Sequence, residues 1–377
     1  MIEVQDIFRQ YGDEYFRTHG TGNAQAKAFR DILNCRTSAM GGHTDTCGEC
    51  GHQETSYNSC RNRHCPKCQS FAKELWVHRQ EQNLLNVGYF HVVFTLPSEM
   101  NPVMFQNQET LYSLFFKAVS ETLLELGWNH KYLGAKLGIT AVLHTWGQNL
   151  MYHPHIHCIV PAGGLDNDGK WVYSRKKFLI PVKVLSKMFR GKFIAFLSQN
   201  FGHLKLSGPA EYLNAPGHFD SFVSEMYGKR WVTYCKPPFK NASKVIQYLG
   251  RYTHRVAISN NRIVELEGGN VTFKWRDYRD GNKNKSMSVP AVEFIRRFML
   301  HILPPGFRKI RHYGILASKD KSARIALCKM LTDTPVVAAA PFDILEALMK
   351  IFGEDFNRCP VCGVGRLSRA SPNALTA

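Results

Sequence analysis

Residues 153–160 read HPHIHCIV, and this stretch decides how the rest of the chain is interpreted. In an extended strand, successive side chains point to opposite faces. His153, His155 and His157 then share one face, whereas Ile156 and Cys158 share the other. The pattern predicts a strand with an apolar face for a core and a second face of imidazoles, which packing alone explains poorly.

Neutral imidazoles suit a divalent metal ion, so we predict that His155 and His157 are metal ligands. Two histidines leave room for a third protein ligand and for substrate oxygens. The preceding segment VLHTWGQNL offers His144 and Gln148, and the sequence does not choose between them. The alternative is a histidine cluster that tunes local charge without a metal.

Strand and helix patterns alternate on both sides of this stretch. Strands are predicted at 89–96, 139–146, 156–161, 231–235, 262–265 and 271–275, and helices at 109–126, 182–198, 242–252 and 290–300. Strands in mixed order, joined by long helical segments, indicate an α+β fold with an antiparallel-rich central sheet and flanking helices. We divide the chain into a zinc-binding, DNA-contacting domain (1–86), the sheet domain (87–315) and a helical extension and tail (316–377).

Eleven cysteines in a chain without signal-peptide character point to metal binding before disulfides. Cys47-x2-Cys50 and Cys65-x2-Cys68 have the spacing of a structural zinc site, in which four thiolates leave no position open for water. For Cys60, which lies between the pairs, we favour a packing role. The later pair in CPVCG, at 359–362, is half a site that either joins ligands elsewhere or is an unligated turn.

The segment at 241–263 carries Tyr248 and Tyr252 four residues apart, which places both phenols on one face of a helix. Lys244 lies one turn earlier. Tyrosines at this spacing are usually an amphipathic face, but beside a metal site a phenol can attack a phosphodiester and hold the nucleic acid covalently. The metal would polarise the phosphate, and Lys244 would stabilise the added negative charge.

The charge balance indicates a polyanion as partner, because 48 Lys and Arg against 30 Asp and Glu give a net charge of +18. No stretch approaches the length of a membrane span, and we expect an intracellular, cytoplasmic protein. The predicted DNA-contacting residues are Arg61, Arg63, Lys67, Arg251, Arg255, Arg296, Arg297, Arg308, Lys309 and Arg311.

Together with EFIRRFMLHILPPGFRKIRHYGILAS at 293–318, these motifs resemble the rolling-circle transposases of the IS91 type, within the HUH endonuclease superfamily. The resemblance implies His155 and His157 as ligands of Mg²⁺ or Mn²⁺, Tyr248 and Tyr252 as paired nucleophiles, and an N-terminal domain that binds Zn²⁺. It also implies that single-stranded DNA is nicked to leave a 5′-phosphotyrosine and a free 3′-hydroxyl. Because the sequence shows no helicase segment, host replication or unwinding proteins are possible partners.

Two other functions remain open at this point. A zinc-dependent DNA-binding protein without catalysis would explain the charge and the cysteines but not the histidines and tyrosines. A plasmid replication initiator or relaxase would share the chemistry and differ in its DNA context.

Overall fold

The computed structural model describes residues 2–175, 179–239, 245, 250, 256–277, 280–336, 340–353 and 355–369. Its helices are α1 (Val4–Thr18), α2 (Asn23–Leu33), α3 (Pro66–Glu81), α4 (Asn101–Gln106), α5 (Gln108–Trp128), α6 (Val182–Asn200), α7 (His218–Gly228), α8 (Ala291–Met299), α9 (Lys321–Leu331) and α10 (Ile344–Phe352). Across these described ranges, no helix has the length and apolar composition needed to cross a membrane.

The strands are β1 (Gly42–Cys47), β2 (Gln53–Tyr57), β3 (Tyr89–Thr95), β4 (Lys136–Trp146), β5 (Tyr152–Pro161), β6 (Gly163–Leu165), β7 (Trp171–Tyr173), β8 (Thr233–Phe239), β9 (Ile263–Glu267), β10 (Asn270–Asp277), β11 (Lys283–Pro290), β12 (Ile310–Gly314) and β13 (Leu367–Arg369). Seven of them form the central sheet in the order β7-β6-β4-β5-β3-β8, with β12 paired to β4, and every pairing is antiparallel. The predicted α+β class with an antiparallel-rich sheet is confirmed.

The alternation along β5 determines which face of the central sheet is covered. Ile156, Cys158 and Val160 are fully buried in the main core. The same core takes Phe115 from α5 and Phe189 from α6, whose rings stack with centroids 5.5 Å apart. Since α5 and α6 cover this face, the histidines of β5 lie on the opposite one.

A second core joins the N-terminal helices to a later part of the chain. It lies between α1, α2, the three-stranded sheet β9-β10-β11 and α8. Phe8 stacks on Phe29 at 4.5 Å and meets Phe298 edge-on at 5.3 Å. The predicted domain boundary at residues 86 and 87 therefore separates side chains that share one core.

A third, small sheet is built from distant segments of the chain. Its order is β13-β1-β2, and Cys47 of β1 pairs with Leu367 of β13. The segment predicted as a helical extension and tail thus returns to the N-terminal module, and its last described strand pairs there.

Candidate metal and nucleic-acid site

Three imidazoles cluster on the face of the central sheet that lies opposite α5 and α6. His155 and His157 share this face because they alternate along β5, and the antiparallel register places His144 of β4 directly opposite His155. One ring nitrogen from each of the three lies within 4.8 Å of the others. This spacing fits three ligands around one ion, and His144 is the candidate third ligand that the structure brings to the pair.

In His155 and His157, the ring nitrogen Nδ1 has a defined partner. Nδ1 of His155 lies 2.7 Å from the backbone oxygen of His153, and Nδ1 of His157 lies 2.8 Å from Nε2 of His91. Ligating histidines in metal proteins are commonly oriented in this way through the nitrogen that does not bind the metal. In both residues Nε2 is then the nitrogen for an ion.

His91 is suited to accept a hydrogen bond from His157. It lies on β3 beside His157 and is 3% exposed. Burial, and then the nearby charge of Lys236, lower the pKa of His91 to about 3. A neutral His91 can accept the Nδ1 proton of His157 and so fix the tautomer that offers Nε2 to a metal. No local sequence pattern marks His91, because its partner is 66 residues away.

Gln148, the alternative third ligand, lies in the turn after β4. Its backbone oxygen accepts a hydrogen bond of 2.6 Å from the guanidinium of Arg262. Arg262 in turn lies over the ring of Phe273, with its guanidinium carbon 5.8 Å from the ring centroid. This turn is thereby joined to the β9-β10-β11 sheet.

The predicted nucleophiles and three of their neighbours, Tyr248, Tyr252, Lys244, Arg251 and Arg255, lie outside the described residues. Two residues of the same segment, Val245 and Gly250, are described, and both are helical. Val245 is fully buried in a cluster with Tyr89 and Ile159.

Val245 lies on the histidine face of the sheet, because its contact Ile159 follows His155 and His157 on the same face of β5. Gly250 lies against α3, where a Cβ atom built on it would be 2.6 Å from a methyl carbon of Val77. Residues 245 and 250 are therefore held between the histidine face of the sheet and the helix that follows the N-terminal cysteines.

Eight of the eleven cysteines form two clusters of four, and the predicted single site is wrong in its grouping. Cys65 and Cys68, at the start of α3, meet Cys35 and Cys60, with neighbouring sulfurs 3.6–3.7 Å apart. Cys47 and Cys50 lie at the turn between β1 and β2, and they meet the later pair. The two groups are Cys35, Cys60, Cys65, Cys68 and Cys47, Cys50, Cys359, Cys362.

The packing role favoured for Cys60 is corrected by this grouping, and Cys35 was not foreseen at all. Cys35 follows α2 and has no second cysteine nearby in sequence, so spacing alone gave no signal for it. Because the sulfurs lie too far apart for disulfide bonds, four thiols around one ion is the arrangement that fits the first cluster.

Several of the described residues that were predicted to contact DNA are engaged within the protein; Arg311, for example, donates to Ser113 and lies over the rings of Phe116 and Phe307. The guanidinium of Arg63 donates to the backbone oxygens of Leu303, Pro304 and Phe307. Lys67 forms an ion pair with Glu3. These contacts give both residues a structural role, and their contact with DNA stays a prediction.

Arg296 and Arg297 share one carboxylate on α8. Both donate to Glu293, and their hydrogen bonds hold the pKa of that carboxyl down to about 2. Arg297 also donates to the backbone oxygen of Asn149. The free cationic surface predicted for this helix is therefore neutralised in part by its own acidic residue.

The other predicted DNA-contacting residues that the structure describes differ in how exposed they are. Arg61 and Arg308 are exposed. Arg308 and Arg311 line a surface cleft of about 850 Å³ together with Lys321. Burial, and then the charge of Arg63, lower the pKa of Lys309 to about 8, and this lysine is half-buried. The cleft is the part of the predicted basic surface that remains open to a polyanion.

An antiparallel sheet with three clustered imidazoles on one face, joined to a cysteine-rich module, defines an α+β protein equipped for metal binding. Two family models match the chain: one described as "Transposase zinc-binding domain" over residues 7–96, and one described as "Putative transposase" over residues 138–323. The chain belongs to the IS91-type family of transposases, and it carries the zinc-binding domain of that family.

Two curated relatives match along almost the whole chain. "Putative transposase y4qJ" of Sinorhizobium fredii is 43% identical over 373 residues, which cover 97% of this chain and 94% of the relative. "Transposase for insertion sequence element IS801" of Pseudomonas savastanoi pv. phaseolicola is 28% identical over 367 residues, covering 95% and 86%. No solved structure matches the chain.

Proposed function

We propose that this transposase nicks and rejoins single-stranded DNA, with Tyr248 and Tyr252 as nucleophiles, at a divalent-metal site held by His144, His155 and His157. The observation that carries the proposal is the imidazole cluster with its two oriented Nδ1 atoms. The burial of Val245 against Ile159 supports a place for the tyrosine segment on the same face of the sheet.

In the proposed reaction, the tyrosine phenol gives up its proton and its oxygen bonds to phosphorus, while the bond from phosphorus to the 3′-oxygen breaks. The 3′-oxygen takes up a proton and leaves as a hydroxyl, and the 5′-phosphate stays on the tyrosine. Reversal with a different 3′-hydroxyl joins the strands, and the phosphotyrosine conserves the bond energy. Paired tyrosines allow one cleavage each at two DNA ends.

The phenol needs assistance because its ordinary pKa is near 10. A bound Mg²⁺ or Mn²⁺ would supply Lewis-acid polarisation of the scissile phosphate. The chain's own contribution is to hold three neutral imidazoles in place and, through Lys244, to stabilise negative charge on the phosphate. These roles for Lys244 and the histidines are part of the proposal.

The proposed substrate is the single-stranded DNA of mobile-element ends and targets, inside the cell. The net charge of +18 and the cleft with Arg308, Arg311 and Lys321 support contact with DNA at that cleft. We also infer that host replication or unwinding proteins supply the single strand.

The test is a search for a covalent adduct. End-labelled single-stranded DNA of the element termini is mixed with purified protein, with magnesium or with chelator, and run on a denaturing protein gel. We expect a metal-dependent, protein-linked label that is lost in the Tyr248→Phe/Tyr252→Phe double variant. Tyr173→Phe is the control, since Tyr173 is 60% exposed and lies on the small edge strand β7.

DNA binding without an adduct would instead favour the non-catalytic, zinc-dependent DNA-binding function. His155→Ala separates the role of the metal from that of the tyrosines: nicking should be lost at every metal concentration. Recovery at high metal would mean that His155 tunes affinity and is not an essential ligand.

A further inference from the structure

We propose that Cys47, Cys50, Cys359 and Cys362 form a second zinc site, which ties the C-terminal segment of the described chain to its N-terminal module. Two of its four ligands lie outside residues 7–96, the span matched by the zinc-binding family model. The site does not depend on the proposed DNA chemistry, so either proposal can fail without the other.

The sulfur positions fit a tetrahedral ion. The sulfurs of Cys47 and Cys362 are 3.8 Å apart, and those of Cys50 and Cys359 are 3.7 Å apart. Zinc–sulfur bonds of about 2.3 Å in a regular tetrahedron give sulfur–sulfur edges of about 3.8 Å. A disulfide needs about 2.05 Å, so the spacing matches shared coordination and not a covalent bond between the sulfurs.

The two cysteine pairs lie on turns with the same backbone pattern. In the first turn the amide of Cys47 donates to His52, and the amide of Gly51 donates back to Cys47. In the second the amide of Cys359 donates to Gly365, and that of Gly363 donates back to Cys359.

Gly51 and Gly363 occupy the left-handed region, with φ of 71° and 66°. Each turn therefore presents two thiols from a tight loop, the form in which Cys-x2-Cys pairs bind zinc. Two such turns facing each other supply four ligands.

Backbone hydrogen bonds also bring the two turns together. β13 pairs with β1, and the amide of Gly48 donates to the backbone oxygen of Arg366. Gly365 allows this approach, because a Cβ atom on it would lie 2.4 Å from the sulfur of Cys47. A side chain at position 365 would push the two turns apart, so the close approach of the turns requires glycine at this position.

The test is the zinc stoichiometry of the full chain by native mass spectrometry. We expect two zinc ions in the unmodified protein and one in the Cys359→Ser/Cys362→Ser variant. The Cys35→Ser/Cys60→Ser variant should also lose one, from the other cluster. Cys328→Ala is the matched control, since Cys328 is a buried cysteine in neither group, and it should keep both ions.

Alkylation of the unmodified protein keeps the proposal testable if a variant fails to fold. The Cys50 residue is exposed, so its thiol should react quickly with iodoacetamide unless an ion holds it. We expect Cys50 and Cys362 to be protected in zinc-loaded protein and to become reactive together when chelator is added. A single zinc ion in the unmodified protein, or rapid alkylation of Cys50 before chelation, would overturn the proposal.

Discussion

At the scale of single residues, His91 is the side chain whose role in the site follows most directly from geometry. Its Nε2 lies 2.8 Å from Nδ1 of His157, and its own ring is buried and neutral. The substitution His91→Phe keeps a ring in place but removes this partner. Outer-shell changes of this kind typically cost about 10- to 100-fold in metal affinity.

We therefore expect His91→Phe to raise the metal concentration for half-maximal nicking by about 10-fold or more. His203→Phe is the control, because His203 is exposed and is not among the three clustered imidazoles. Titrating Mg²⁺ and Mn²⁺ in the adduct assay measures both variants. An unchanged metal requirement in His91→Phe would remove His91 from the site.

Lys309 gives a prediction on stability and pH. Burial and the charge of Arg63 lower its folded-state pKa to about 8, below the ordinary value near 10.4. Between these two values the unfolded chain holds more protons than the folded one, so this lysine makes stability rise with pH. At lower pH it is charged in both states, so its contribution to stability no longer changes with pH.

Lys309→Met should therefore stabilise the protein most below pH 8, and the gain should shrink by roughly 1 kcal/mol per pH unit above it. Urea unfolding at pH 7, 8 and 9 measures this difference. Lys274→Met, at an exposed position on β10, should show no such trend. A gain in stability that does not vary with pH would mean that folding does not shift the pKa of Lys309.

Residue types and spacing predict that His155 and His157 share one face of a strand. They do not predict which residues hold the two rings in position. The alternation along β5 is visible in the sequence, because neighbouring positions determine it. His91 and Cys35 are recruited by strand register and by helix packing, which no local pattern records. The same limit explains Arg63, whose charge suggested DNA and whose guanidinium instead binds three backbone oxygens.

At the scale of elements, α3 connects the first cysteine cluster to the tyrosine segment. It begins after Cys65, carries Cys68 in its first turn, and places Val77 and Lys73 against Gly250. A side chain at position 250 has to displace Val77, which is itself buried. The position of residue 250 relative to the sheet thus depends on α3.

We expect Gly250→Val to lower adduct formation strongly, because misplacement of a reacting group by about 1 Å can cost about 100-fold. Gly191→Val is the matched control, since a Cβ atom at position 191 of α6 meets nothing within 4 Å. Adduct yield is compared with thermal stability for both variants. Full activity in Gly250→Val would show that this contact does not position the nucleophiles.

The periodicity of apolar residues predicts most of the long helices and strands of the central domain. It does not predict strands that consist mainly of polar residues. The helix predicted at 109–126 is observed at Gln108–Trp128, and the strand predicted at 89–96 at Tyr89–Thr95. By contrast β11 reads KNKSMSVP, with mostly exposed side chains that give no apolar alternation. Its pairing with β10 supplies the information that its own composition lacks.

At the scale of the whole molecule, distant segments of the chain complete each other's cores and sites. α1 packs on α8, and β13 pairs with β1. Boundaries drawn from composition separated these partners because composition changes along the chain, whereas packing joins residues hundreds of positions apart. The two cysteine clusters show the same effect, since the correct grouping depends on which turns meet in space.

The distribution of charge over the whole molecule predicts a strong salt dependence of DNA binding. Each phosphate contact to a single strand lowers the slope of log K against log salt by about 0.7. Substituting one cation that contacts phosphate should therefore make the slope shallower by about that amount. Arg308→Ala tests the open cleft, because Arg308 is exposed there.

Arg296→Ala is the informative comparison, because Arg296 carries the same charge but is paired with Glu293. Its loss should change the slope little, and fluorescence anisotropy across a salt series measures both variants. If Arg296→Ala flattened the slope and Arg308→Ala did not, the DNA would run past α8 instead of along the cleft. Arginines that form ion pairs in the free protein would then leave their carboxylate partners when DNA binds. Part of the net charge of +18 that contacts DNA would come from such paired residues.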